Sequence, residues 1–429
     1  MNDELKFTVI SDIHYYSKKN FVDGFDKNKK PKPGQLFFSR SEEIVEHTFD
    51  CLCKNDTPDI VLISGDLTYN GERTSHDEMK AALKKLQQKG KRVYVITATH
   101  DYTTPRMPTY GIDKNDKYIE VESVKRTQLL KYYGDFGYNN AIAKHKSTMS
   151  YVAQLADGYR LFALNDDYGD PDCGFSDELM NWVKTEANNA KRDGQYIIAM
   201  THHPLVPPSP IYTAGDMLND YELRSKQLSD LGFDFVLTGH THMHNISYCK
   251  IGDKKFYDIS TAALTGFPPY YRQIVLNKEQ KKAEIKTICA DCADSIDTNG
   301  LALEEYTKDL FFGVVSKALY DAEYDYDNFA DFAVGMSISK ETSKKYKPII
   351  HRFAKFLNHL TFGKVWHFVR FSSGVSKSEI SKISSSSPLC YQHCGKSLQR
   401  RRKHTYFLHR IQNDMFGVEE SRPSCKTVR

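Results

Sequence analysis

The sequence predicts an α/β fold: a mixed sheet, or two sheets packed together, with helices outside, followed by a helical C-terminal region. Three observations carry this. Up to about residue 277, short apolar runs alternate with amphipathic helical stretches, first as βαβ units and later as antiparallel hairpins. Over 295–372 the apolar positions change to helical spacing throughout. Five of the apolar runs end in Asp or His, and open α/β sheets place their chemistry at C-terminal strand ends.

The elements follow in order. "FTVIS" at 7–11 is a short apolar strand. Ser39 and Glu42 have capping-box spacing and are expected to open a helix. "DIVLISG" at 59–65 reads as a buried strand, 75–90 as an amphipathic helix ending at Gly90, and "RVYVITA" at 92–98 as a third strand. "SYVAQLA" and "YRLFALN" flank Asp157-Gly158, a strong hairpin signal. A helix over 176–192, the strand "YIIAMT" at 196–201, a helix over 218–231 and the strand "FDFVL" at 233–237 come next. The hairpin "ISYCKIGDKKFYDIS" and the strand "YRQIVL" at 271–276 complete the first domain, placed at 1–290. Residues 295–372 form the helical region. Residues 373–429, Ser-rich and then basic at "QRRRKH", read as a disordered tail.

Composition narrows the function. The chain has 429 residues, 40 % of them hydrophobic and 27 % charged, an ordinary balance for a soluble protein. The net charge of +4 is carried by residues 375–429, which hold 11 Lys/Arg against 4 Asp/Glu. The remainder is mildly acidic, so no specific nucleic acid is expected as a partner. The first apolar run, Phe7 to Ile10, is too short for a signal peptide, and no run approaches a membrane span. The expectation is a cytoplasmic protein without a membrane partner. Oligomeric state is not readable. The nine cysteines, including the pairs Cys289/Cys292 and Cys390/Cys394, read as reduced thiols, because a structural zinc needs four matched ligands.

The strand ends are where chemistry concentrates. The strands terminate, in order, in Asp12-Ile13-His14, Gly65-Asp66, Thr99-His100-Asp101, His202-His203 and Gly239-His240-Thr241-His242. Carboxylates and imidazoles together suit borderline divalent ions such as Mn, Fe, Zn or Ni. The set is too rich for one ion. Two ions about 3.5–4 Å apart are a standard device for phosphoester hydrolysis, and Asp66 is the natural bridging carboxylate.

The segments "SDIH", "SGDLTYNGE", "ATHD", "THHP" and "GHTH" resemble, in order and spacing, the motifs of the calcineurin-like metallophosphoesterases over about 7–276. The resemblance implies two mixed β-sheets packed together and flanked by helices, with two metals at the strand ends. It makes Asp12, His14 and His242 ligands of the first metal and His202 and His240 ligands of the second, with Asp66 shared. His100 matches the histidine that stabilises or protonates the leaving oxygen, and Asp101 is expected to hold its other ring nitrogen. His244, His203 and His76 are read as structural neighbours. Thr99 stands where the family has an Asn whose amide oxygen binds the second metal. Thr can ligate a metal, but its shorter reach predicts a weaker second site.

The function implied is hydrolysis of phosphodiesters in small phosphorylated substrates by a metal-activated hydroxide. "GDLTYNGERTSH" resembles bacterial relatives of cyclic-nucleotide phosphodiesterases and lacks the "GDxxDRG" of protein phosphatases. A phosphomonoesterase is one alternative. Another is a weakly active or inactive relative that binds a phosphorylated ligand, because of Thr99. Loops 15–38, 102–122 and 205–217, rich in Tyr, Lys and Pro, are expected to shape the pocket.

Overall fold

Apolar runs bounded by Gly, Asp and Asn become strands, and the amphipathic stretches between them become helices. The computed structural model describes residues 4–359, apart from 27–28, 30–33, 55, 106, 168–172, 210–215 and 336–339. In chain order the elements are β1 (Glu4–Ile10), α1 (Ser41–Leu52), β2 (Ile60–Ser64), α2 (Arg73–Gln88), β3 (Arg92–Ile96), β4 (Gly111–Ile112), β5 (Tyr118–Ile119), α3 (Leu129–Tyr133) and β6 (Ala143–His145). There follow β7 (Ser150–Ala156), β8 (Tyr159–Ala163), α4 (Asp177–Arg192), β9 (Tyr196–Met200), α5 (Tyr221–Leu231), β10 (Phe235–Thr238), β11 (Asn245–Ile251), β12 (Lys254–Ser260), β13 (Tyr270–Asn277) and β14 (Lys282–Cys289). Three helices close the described chain: α6 (Leu303–Tyr324), α7 (Tyr326–Gly335) and α8 (Lys340–Asn358). Two compact units result, one running to Lys308 and one beginning at Asp309.

Within the first unit, two mixed sheets face one another. One has the order β14-β13-β1-β2-β3 and the other β11-β12-β10-β9-β8-β7-β6. Phe7, Val9, Leu62 and Ile274 of the first sheet meet Leu161, Ile198, Met200 and Leu237 of the second in one buried cluster. Burying each such side chain is worth about 1.5–3 kcal/mol, and this sheet-on-sheet core dominates the packing. On the outer face of the second sheet, Leu179, Val183 and Ala187 of α4 pack on Phe162, Ile197 and Ala199. Those α4 residues are spaced by four, which is what places them on one helix face.

The registers position the site. β1, β2 and β3 are parallel, with Ile10 opposite Ile63 and Ser64 opposite Ile96. Their C-terminal loops therefore leave at the same edge. β8, β9 and β10 are also parallel, pairing Ala163 and Leu237 with Met200. The chain beyond β1 bridges that beyond β12 through Ser11 and Ala263. Gly239 N donates to His202 O at 2.9 Å, which ties the last two loops together.

Several local readings need correction. Ser39 does not cap α1. The chain turns as a 3-10 helix over Phe38–Arg40 and runs directly into α1, and the Ser41 hydroxyl accepts instead from Tyr16 N at 2.9 Å. The strand expected to 98 ends at Ile96, and the helix expected from 218 begins at Tyr221. β14 and the two-residue hairpin β4–β5 were not anticipated. Helices α6–α8 fall within the expected helical region, while 360–372 and the basic tail 373–429 lie outside the described residues.

Candidate metal centre

Five turns at the strand ends converge on one point. Donor atoms of Asp12, His14 and His242 lie within 4.8 Å of one another, as do those of Asp12, Asp66 and His202, and those of His14, Asp66 and His100. His202 Nε2 is 3.2 Å from Asp66 Oδ2 and 3.9 Å from Asp12 Oδ1. His242 Nε2 is 3.4 Å from Asp12 Oδ1, and His14 Nε2 is 3.8 Å from the same atom and 3.9 Å from Asp66 Oδ2. All but His242 and His100 among these residues are essentially closed to solvent.

The backbone bends sharply to make this cluster. Asp12, His14, Asp66, His240 and His242 all adopt left-handed conformations, with φ between 45° and 65°. Non-glycine residues rarely occupy that region, and such strain gathers at functional sites where the surroundings enforce it. Two glycines make room. A Cβ on Gly65 would meet His202 Nδ1 at 2.7 Å, and Gly65 has φ +100°. A Cβ on Gly239 would overlap Ser11 Oγ and Asp12 Oδ2.

The donor set fits divalent ions. His14 Nε2 and His242 Nε2 lie 3.0 Å apart, so the two rings bring nitrogens to one point beside Asp12. His202 Nε2 is buried, with Asp66 Oδ2 its near neighbour at 3.2 Å. Its Nδ1–H donates to Ser64 O at 2.8 Å, which fixes the tautomer and leaves Nε2 aimed at Asp66.

Electrostatics divide the imidazoles. Burial holds His14 and His240 well below the usual histidine range, reinforced by neighbouring histidines, so both stay neutral. Burial works the same way on His202, but Asp66 and Asp12 outweigh it and lift His202 well above that range. Burial alone would raise Asp66; His202 and His100 instead hold it well below the usual carboxylate range. The cluster thus balances carboxylate charge against imidazole charge, as a cation site requires.

Not every expected residue joins the cluster in the same way. The His240 backbone N–H donates to both Asp12 oxygens, at 3.1 and 3.0 Å, and its ring lies 5.3 Å from that of His202. Thr99 is half-buried and opens a 3-10 turn over Thr99–Asp101. The expectation for Asp101 is corrected: its carboxylate accepts from Thr68 N and Ala98 N, each at 2.9 Å, rather than from His100. The tight turn after Ala98 folds that side chain back under its own backbone. Burial, then Asp66, pushes Asp101 up to about 8. His100 Nδ1 donates instead to Tyr69 O at 2.7 Å and Asn70 Oδ1 at 2.8 Å.

The three neighbouring histidines have other partners. His76 contacts Tyr133 and Asp101 O, His203 contacts Asp166, and His244 contacts Thr287. Asp166 was missed by sequence reasoning. It is fully buried, and its Oδ2 accepts from Thr201 Oγ1 at 2.8 Å, His202 N at 3.2 Å and His203 N at 2.7 Å. "ALNDD" after β8 shows the same acidic strand end as the other turns, and that signal could have found it.

The sequence model of the calcineurin-like phosphoesterase family matches residues 5–244. No curated protein matches the chain. Among solved structures the chain is similar to a dimetal phosphatase from Danio rerio, at 12 % identity and a TM-score of 0.45 over 67 % of this chain and 99 % of that one. It is also similar to a sulfate thiohydrolase from Thermus thermophilus, at 10 % identity and a TM-score of 0.37 over 70 % and 58 % of the respective chains.

Proposed function

The chain belongs to the calcineurin-like phosphoesterase family, and from that premise we propose that it is a dinuclear-metal hydrolase acting on phosphodiesters. The observation that carries the reading is the convergence of Asp12, Asp66, His14, His202 and His242 donor atoms within a few ångströms. In this reading Asp12, His14 and His242 would hold one ion and His202, His240 and Thr99 the other, with Asp66 shared between them. The chemistry of borderline carboxylate and imidazole donors suits Mn, Fe, Zn or Ni. When bound, two such ions supply charge neutralisation for phosphate oxygens and a water acidified to a pKa of about 7.

The chain's own residues then divide the remaining work. The His100 ring stands nearly perpendicular to that of His14, 4.8 Å away, at the half-exposed side of the cluster. From there its Nε2 donates a proton to the leaving oxygen. Buried Asp101 braces the turn that carries His100 through Ala98 N and Thr68 N. Asp166 holds the His202 turn. Small phosphorylated molecules in the cytoplasm are the substrates in this account. "GDLTYNGERTSH" favours diesters over monoesters by its resemblance to phosphodiesterase relatives. In this reading residues 1–290 carry the activity. No helix among the described residues is long and apolar enough to cross a membrane.

The test is turnover of bis(4-nitrophenyl) phosphate against 4-nitrophenyl phosphate by Mn²⁺-loaded protein, with Asp66→Asn as control. Diester turnover that Asp66→Asn abolishes supports the reading; faster monoester turnover would replace diester by monoester. One observation favours a second reading. Thr99 replaces an amide ligand, so a protein that binds phosphorylated ligands without cleaving them is the alternative. Absence of turnover that Thr99→Asn restores would establish it.

A further inference from the structure

We propose that Asn70 is the positioning residue that aims His100 at the leaving oxygen. This rests on the reading above, in which His100 is the proton donor. His100 Nδ1 has two acceptors, Tyr69 O at 2.7 Å and Asn70 Oδ1 at 2.8 Å. Both can only accept, so Nδ1 carries a hydrogen and the ring cannot flip without losing both bonds. Nε2 is then the nitrogen left to face substrate. Because Nδ1 keeps its hydrogen, Nε2 gives a proton from the doubly protonated ring: as the phosphorus–oxygen bond to the leaving group breaks and the bond to the attacking water oxygen forms, the Nε2 proton passes to the leaving oxygen, the ring becomes neutral, and the proton lost by the attacking water goes to bulk solvent. Bulk water afterwards returns the proton to Nε2.

Asn70 is itself held from several sides. It is 7 % exposed. Its N–H donates to Glu72 Oε1 at 3.0 Å, and its carbonyl accepts from Thr109 Oγ1. Gly71 follows with φ +75°, and a Cβ there would meet Tyr102 Cα at 2.6 Å, so the turn lies directly against the chain beyond His100. The backbone of His100 is fixed as well. Its N–H donates to Asp66 Oδ1 at 2.9 Å, and its carbonyl accepts from Thr68 Oγ1 at 3.1 Å. The ring torsions are what remain to be set, and Asn70 is the side chain that reaches them.

An amide suits the position better than a carboxylate. Asp12, Asp66, Glu72 and Asp101 already crowd this region with buried acidic groups. A neutral amide oxygen orients the ring without adding a fifth. The carboxylate nearest in sequence, Asp101, is committed to Ala98 N and Thr68 N.

The experiment compares Asn70→Leu, Asn70→Asp and His100→Ala in full-length, Mn²⁺-loaded protein. Leu keeps the volume without an acceptor, and Asp keeps an acceptor on the same stem. Two substrates are used, methyl 4-nitrophenyl phosphate and methyl phenyl phosphate. Phenoxide is the poorer leaving group and needs the proton more. Asn70→Leu is expected to lose about 10–100-fold in kcat on the phenyl ester. It should lose no more than about three-fold on the nitrophenyl ester, with KM and Mn content unchanged. Retained nitrophenyl turnover shows that the variant is folded. Asn70→Asp should recover most of the phenyl-ester loss. If Asn70→Leu slows both esters equally, or neither, while His100→Ala separates them, Asn70 has no positioning role. If His100→Ala does not separate them either, the assignment of His100 falls, and the role of Asn70 with it. Absence of any wild-type turnover overturns the hydrolase reading itself and this inference together.

Discussion

Asp166→Ala isolates what supports the His202 turn. The substitution removes one oxygen that accepts from Thr201 Oγ1, His202 N and His203 N, at 2.8, 3.2 and 2.7 Å. It also removes the oxygen 3.3 Å from His203 Nδ1. Asp166 is fully buried, so the stranded donors lie away from solvent. Each buried donor left without a partner costs about 1–3 kcal/mol. Water entering the vacated space satisfies some of them, so a loss of about 3–5 kcal/mol is expected rather than the full sum. At roughly 2–4 °C per kcal/mol, the melting temperature falls by about 10 °C. Asp166→Asn keeps one acceptor oxygen and should lose about 1–2 kcal/mol. Circular-dichroism melts in EDTA separate this fold effect from metal binding, and Mn content then reports on the placement of His202. If the Ala variant melts within about 2 °C of wild type and binds Mn normally, the hydrogen bonds to Asp166 do not hold the turn.

Three further outcomes follow from the same geometry. Gly239→Ala pushes a methyl group into Ser11 Oγ and Asp12 Oδ2, so Mn binding and diester turnover should fall together by about 100-fold or more; unchanged Mn content would contradict the packing described. Thr99→Asn should tighten the second Mn²⁺ site about tenfold, or about 1.4 kcal/mol, read as a rise in the spin-coupled Mn pair signal on titration, and an unaltered titration would show that Thr99 lies outside the metal site. Asp258 is buried and pushed up to about 6 from 3.8, chiefly by burial. Its contribution to stability is therefore complete below about pH 4 and lost as pH rises through about 6. The stability difference between wild type and Asp258→Asn should shift by up to about 3 kcal/mol in favour of the variant from pH 4 to 8, whereas a pH-independent difference in urea melts would refute the argument.

Much of this molecule was legible because its signals are local. Apolar runs at 7–11, 59–65 and 196–201 are of strand length and rich in Val and Ile, which favours buried strands, and the Asp and His residues that follow them come directly after. The parallel registers then gather Asp12, Asp66 and His202. What failed depends on geometry that no local pattern encodes. β14 is an edge strand with a largely exposed, polar sequence, paired with β13 alone, so it lacks the apolar run that marks a central strand. Whether Asp101 or Asn70 orients His100 depends on how the turns at 69–71 and 97–101 pack. The spacing "ATHD" favoured the adjacent carboxylate, yet Asp101 folds back onto Ala98 N. Ser39 had the right spacing to Glu42, but its segment is drawn into a 3-10 turn and Phe37 N bonds to Thr265 O at 2.7 Å, far away in sequence.

The most direct test of the account is metal stoichiometry measured by elemental analysis on Mn²⁺-equilibrated protein, wild type beside Asp66→Asn. The account predicts two ions per wild-type chain and a loss of at least one when the shared carboxylate becomes an amide. A wild type that binds one ion or none, or an Asp66→Asn protein that still holds two, would contradict it.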